Sequence, residues 1–120
     1  MAKIDSFNFG FIVIDGKQYV KDVVILPDGS VKERDPGKSS RLGSHGIRGD
    51  EIRELHKSGA DVMVVGTGVN GVARLTGDAE TYQTNARLNL IILPSSLAVS
   101  KFNQLVAEGK RVAALFHITC

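Results

Sequence analysis

Several groups of residues have types and spacings suited to chemistry. Gly66-Thr-Gly-Val-Asn-Gly71 has the Gly-x-Gly-x-x-Gly spacing of a dinucleotide-binding turn, in which bare backbone lets a pyrophosphate approach a helix N-terminus. The features that should accompany it are missing. Gly71-Val-Ala-Arg-Leu-Thr-Gly77 is a poor helix start, and the next apolar strand ends in Leu93-Pro94-Ser95 instead of the acid that would hold a ribose. The segment therefore reads as a tight turn, with amides that could line a crevice for a small ligand at the end of a central strand.

Gly43-Ser44-His45-Gly46 looks like a nucleophile elbow, but its spacing is Gly-Ser-x-Gly, so hydrolase chemistry is not expected. Its surroundings are more suggestive. Lys38, Arg41, His45 and Arg48 occupy a stretch with no acid between Pro36 and Gly49, as a small anion would require; the competing reading is a solvated basic loop. The candidate pocket or anion site is thus Lys38, Arg41, His45 and Arg48 with Gly66, Thr67 and Gly68. The three histidines and Cys120 are usual metal ligands, but they lack the short paired spacing of a zinc site. No metal, cofactor or catalytic residue is assigned. His56 reads as a helix-surface residue, and in an extended strand His117 and Thr119 share one face while Cys120 takes the other.

These groups must be positioned by a chain of 120 residues that is 42% hydrophobic. That is enough for a single domain spanning residues 1–120, since such a length buries about two thirds of its unfolded surface. Fifteen basic against 13 acidic side chains leave a net charge of +2, too small to draw nucleic acid or an anionic membrane over distance. Phe7, Phe9 and Phe11 have no basic residues interleaved with them, so a base-stacking surface is not expected and core packing is. One cysteine forms no internal disulfide. With no leader-like start and no run of ~18 apolar residues, the chain is expected to be soluble and cytoplasmic.

Phe7, Phe9, Phe11 and Val13 alternate as one strand face, and Asp15-Gly16 signals a hairpin turn. β structure returning over 17–26 and a short, largely solvated strand over 30–34 flank the turn Pro27-Asp-Gly29. A long loop covers 35–49. Asp50, Asp78 and Ser95 or Ser96 are the expected caps of three helices, the last placing Leu97, Ala98, Phe102, Leu105 and Val106 on one face. Nearly continuous apolar runs at 61–65, 88–93 and 111–118 predict buried neighbouring strands. Early hairpins followed by alternating strands and helices predict an α/β mixed sheet with helices packed on it.

Three segments together resemble a known family: Gly43-Ser-His-Gly46 through Leu55, Val62-Met-Val-Val-Gly-Thr-Gly68, and Phe102-Asn-Gln-Leu with Glu108-Gly-Lys-Arg-Val-Ala-Ala-Leu-Phe-His-Ile-Thr-Cys120. They are similar to the small domain of unknown function shared by archaeal and bacterial single-domain proteins, the mammalian adipogenesis-associated protein and mitochondrial complex I assembly factor three. The resemblance implies a three-layer fold with a central five-stranded mixed sheet and an N-terminal β-hairpin layer. It implies no catalytic residue. Where members often carry a threonine and a tyrosine-asparagine pair, this chain has Ser95-Ser96 and Phe102-Asn103. Two functions are consistent with this reading: an interaction or assembly-type module with a protein partner or a second copy, and a small-molecule or anion-binding protein.

Overall fold

The computed structural model describes residues 2–35 and 45–120. In chain order the strands are β1 (Ile4–Asn8), β2 (Phe11–Ile14), β3 (Lys17–Tyr19), β4 (Val23–Ile25), β5 (Val31–Glu33), β6 (Gly46–Ile47), β7 (Val62–Thr67), β8 (Arg74–Leu75), β9 (Leu90–Leu93) and β10 (Val112–His117). The helices are α1 (Gly49–Lys57), α2 (Gly77–Ala86) and α3 (Ser95–Ala107). The central sheet runs β5-β4-β10-β7-β9, with β10, β7 and β9 parallel and β4 antiparallel to β10. The three apolar runs are therefore neighbours, as their lack of polar alternation predicts for strands covered on both faces.

One face of this sheet packs against α3 and the antiparallel sheet β1-β2-β3, through Ile4, Ile12, Ile14, Phe102 and Phe116. The other packs against α1 and α2 through Ile52, Leu55, Met63, Ala79 and Leu115. The result is the expected three-layer α/β fold with its N-terminal hairpin layer.

Some local readings change. The chain reverses at Phe9-Gly10, where Gly10 has φ +87°, so the phenylalanines do not share one strand. The buried parity belongs to Ile4, Ile12 and Ile14, and Phe9 is 58% exposed. The β structure expected over 17–26 is present as two strands, β3 and β4, in different sheets, because the chain turns at residues 20–22 to carry Asp22 inward. Helix starts also move: Arg48, Thr76 and Pro94 hold the cap positions. Asp50 and Asp78 fall in first turns instead, where a carboxylate complements the helix dipole. Leu97 points away from the core at 57% exposure, while Phe102 is buried.

Candidate functional site

At the carboxyl end of β10 the sheet face under α1 changes from apolar to ionic. Ala113, Leu115 and His117 alternate onto this face, so the last inward position is a histidine, only 1% exposed. Its Nδ1 lies 2.8 Å from Asp22 Oδ2, and Asp22 Oδ1 accepts the Ile118 N–H at 2.9 Å. Arg34, just beyond β5, reaches the same carboxylate with Nη1 at 2.9 Å. Its Nε and Nη2 then donate to the two Glu51 oxygens at 2.5 and 2.8 Å, and Nη2 also to the Gly46 carbonyl at 2.7 Å. Glu51 in turn accepts the Arg48 N–H at 3.0 Å, so one carboxylate closes the N-terminus of α1 and clamps a guanidinium.

Burial alone would push the Asp22 carboxyl upward. The bonds from His117, the Ile118 amide and Arg34 outweigh it and hold Asp22 below the ordinary carboxylate value. For Arg34, burial works against the charged form, but Glu51 and Asp22 raise its pKa further.

Beyond His117 the chain leaves the sheet and lies along the glycine turn. The N–H groups of Val69 and of Asn70 and Val72 donate to the main-chain oxygens of Thr119 and Cys120, respectively, at 2.7, 3.2 and 3.1 Å. Gly68 has φ +102°, and a Cβ there would come within 2.4 Å of the Cys120 backbone. Gly66 lies inside β7 instead of in the loop, and a Cβ on it would meet Phe116 and Ser95 at 2.7 Å. Thr67, also in β7, donates to the Leu93 carbonyl at 3.1 Å. Ser95 Oγ donates to the His117 carbonyl at 2.6 Å and accepts the Gly68 N–H at 2.8 Å, which ties α3 to β7 and β10. Glycine at 66 and 68 thus serves close backbone approach, and the turn is filled by the chain that follows β10.

Of the basic candidates, Lys38 and Arg41 lie outside the described residues. Arg48 pairs with Asp50 at 3.0 Å and with Glu51. His45 joins the cluster: its Nε2 is 3.0 Å from Cys120 Sγ, and its ring packs edge-on against His117 with centroids 5.2 Å apart. Thr119 shares the His117 face, as strand parity expects. Cys120 does not take the opposite face, because β10 ends at His117 and the chain beyond it brings Sγ to the same cluster. His56 lies elsewhere, with Nδ1 2.7 Å from the Tyr82 hydroxyl. Asp22, Arg34 and Glu51 carried no motif; the available signal was a Lys21-Asp22 pair interrupting an apolar run between Tyr19 and Leu26.

Beside the network is a cleft of ≈ 490 Å³, lined by Val20, Lys21, Asp22, Glu33, Arg34, Ile118 and Thr119. Thr119 Oγ1 sits 3.2 Å from His117 Nε2. Asp22, His117 and Thr119 thus follow the order of a carboxylate-imidazole-hydroxyl relay. Acyl transfer would also need oxyanion donors, and the Val69, Asn70 and Val72 amides adjoining this segment are already bonded to its main-chain oxygens, with the Gly71 N–H on the Gly68 carbonyl. What the arrangement does is fix the tautomer and orientation of His117 and hold Thr119 at the cleft.

A five-stranded mixed sheet between an α1-α2 layer and an α3-hairpin layer, ending in a buried ionic corner, defines a small three-layer α/β class. Within it, residues 4–117 match the family described as Protein of unknown function (DUF498/DUF598), and the chain belongs to that family. The solved structure of MT938 is 29% identical over the whole of both chains, with a TM-score of 0.85. The conserved hypothetical protein PH1505 of Pyrococcus horikoshii is 30% identical over 98% of this chain and 99% of that one, with a TM-score of 0.86. A Bordetella pertussis protein described as an Mth938-like domain shares the fold at 16% identity over 97% and 85% of the two chains, with a TM-score of 0.67. Among the described residues, no helix is long and apolar enough to cross a membrane.

Proposed function

We propose that the protein binds a small organic anion in the cleft between Asp22, Arg34 and Thr119. The observation that carries this reading is the buried ionic network forming its floor. Removing Arg34, Asp22 and Glu51 from water is unfavourable by several kcal/mol per ion, and well-packed apolar residues would usually serve stability as well or better. Such arrangements concentrate where orientation of functional groups matters. The cleft volume suits a small molecule. Val20, 63% exposed, offers apolar wall; among the lining side chains Lys21 supplies the ammonium for the ligand, set against the carboxylates of Asp22 and Glu33, and the Thr119 hydroxyl a hydrogen bond. The matching ligand is a short carboxylic acid with an aliphatic body.

Calorimetric titration of metal-free protein with a series of straight-chain monocarboxylates, and with inorganic phosphate, tests this. Affinity should rise about fourfold per methylene, the equivalent of ~0.8 kcal/mol, until the cleft is full. Lys21→Ala and Thr119→Val should each weaken it by about fivefold or more. No binding by the wild type, or wild-type affinity in both variants, removes the proposal.

A second reading, association through protein contacts, is favoured by β9. It stands at the end of the central sheet order with the sequence Leu-Ile-Ile-Leu, and Ile92 is exposed. An apolar edge strand can accept a strand from another chain. A single monomeric species across concentration, for wild type and Ile92→Lys alike, would count against a homo-oligomer formed this way.

A further inference from the structure

We propose that His45, His117 and Cys120 form a binding site for a divalent transition metal of the zinc class. The three come from two distant parts of the chain, yet one donor atom from each lies within 4.8 Å of the other two. Metal bonds of about 2.0–2.1 Å to nitrogen and about 2.3 Å to sulfur put tetrahedral ligands on the order of 3.5 Å apart. The donors are therefore close to ligating separation. His45 and Cys120 are half-buried, so their side chains have room for the remaining adjustment.

The surroundings of His117 support this assignment independently of the distances. A histidine that holds a metal through one ring nitrogen commonly donates the other N–H to a carboxylate, which fixes the tautomer and aims the lone pair. Asp22 is the acceptor at Nδ1, and is itself held by the Ile118 amide and Arg34. Nε2 is left facing Thr119 Oγ1 at 3.2 Å, the longer of its two hydrogen bonds and the one a metal would replace. The edge-on packing of the His45 and His117 rings brings the second imidazole to the same place, and Cys120 Sγ completes a two-nitrogen, one-sulfur set. Such a set selects borderline-soft cations over magnesium or calcium, which take oxygen ligands. Three protein ligands leave a fourth position for water or an exchangeable group. The metal would also join residue 45 to residues 117 and 120, closing a long stretch of chain, so binding should stabilise the fold.

Cobalt(II) is the probe. Chelator-stripped, reduced protein titrated with cobalt should develop visible bands of tetrahedral intensity and a near-ultraviolet thiolate-to-cobalt band, both saturating at one equivalent and both lost on adding zinc. Cys120→Ser should abolish the thiolate band. His45→Ala should weaken cobalt binding by ~10-fold or more. His56→Ala, at the far histidine, should leave the titration unchanged and serves as the control. His117 is buried and its loss would disturb the fold, so the variants are confined to His45 and Cys120. Absence of the thiolate band in wild type, or bands that persist unchanged in both Cys120→Ser and His45→Ala, would overturn the proposal. Because the carboxylate titrations use metal-free protein, failure of either proposal is read separately from failure of the other.

Discussion

The two faces of the central sheet are built on different principles. Under α3 and the hairpin layer, Ile4, Ile12, Ile14, Val64, Phe102, Phe116 and Ile118 form an apolar interface, with Asn103 stitching the Ile4 N–H and carbonyl at its margin. Under α1 the apolar packing stops at Leu115, and the corner beyond it holds Arg34, Asp22, Glu51 and His117. The first face is stabilised by area removed from water, which asks only for volume and shape. The second depends on each charge finding its partner, and is stable as a set and unstable in part. The α3 face is a foundation; the polar corner is where the molecule holds specific groups in specific orientations.

Truncation on either face should be equally damaging but differently repaired. Phe102→Ala should lower unfolding free energy by about 3–5 kcal/mol through lost burial and a cavity. Arg34→Met should lose about 3–5 kcal/mol because buried Asp22 and Glu51 both lose the guanidinium between them, and Glu51 keeps the longer contact to Arg48. In urea denaturation, adding Asp22→Asn and Glu51→Gln to Arg34→Met should recover much of that loss, whereas no charge change rescues Phe102→Ala. Equal failure of rescue on both faces would erase the distinction.

Ser95, which ties the start of α3 to the ends of β7 and β10, should show an intermediate effect. Ser95→Ala leaves the buried Gly68 N–H and His117 carbonyl without their side-chain partner, and about 1–3 kcal/mol should be lost.

Acid should separate the faces without mutation. Folded Asp22 titrates below its ordinary value of 3.8, so the unfolded chain binds its proton first. The stability this carboxyl contributes is fully present above that value and is lost as pH falls from there through the lower folded value. Urea midpoints measured downward from about pH 5 should fall less steeply in Asp22→Asn than in wild type, with Phe102→Ala keeping the wild-type slope. The smallest effect belongs to Leu97, which sits on α3 but faces solvent. Leu97→Ser should change stability by no more than about 0.5 kcal/mol, and a larger loss would place it in the apolar interface after all.

The apolar strands and α3 were legible because their signals are local. Val62-Met-Val-Val and Val112-Ala-Ala-Leu-Phe carry too few polar residues for a face in water, and α3 shows its core side at Ala98, Phe102 and Leu105. Parity misled at the hairpin, where Gly10 inverts which residues face inward, and again after His117, where the strand ends. The expected caps slipped by one or two residues because an acid acts favourably anywhere in a first turn, so its presence marks the turn more firmly than the cap.

By itself, then, the sequence determined the class of fold, the family and the strands that meet at its centre, since burial pattern and turn chemistry act over a few residues. Only the tertiary structure decided the candidate site. Asp22, Arg34, His45, Glu51, His117 and Cys120 meet across separations of up to 98 residues, and no local spacing records that meeting. The antiparallel placement of β4 beside β10 carries Asp22 to His117, and the short β6 ahead of α1 brings His45 to Cys120. Once there, exclusion of water turns ordinary charged and polar side chains into groups whose partners and orientation are fixed.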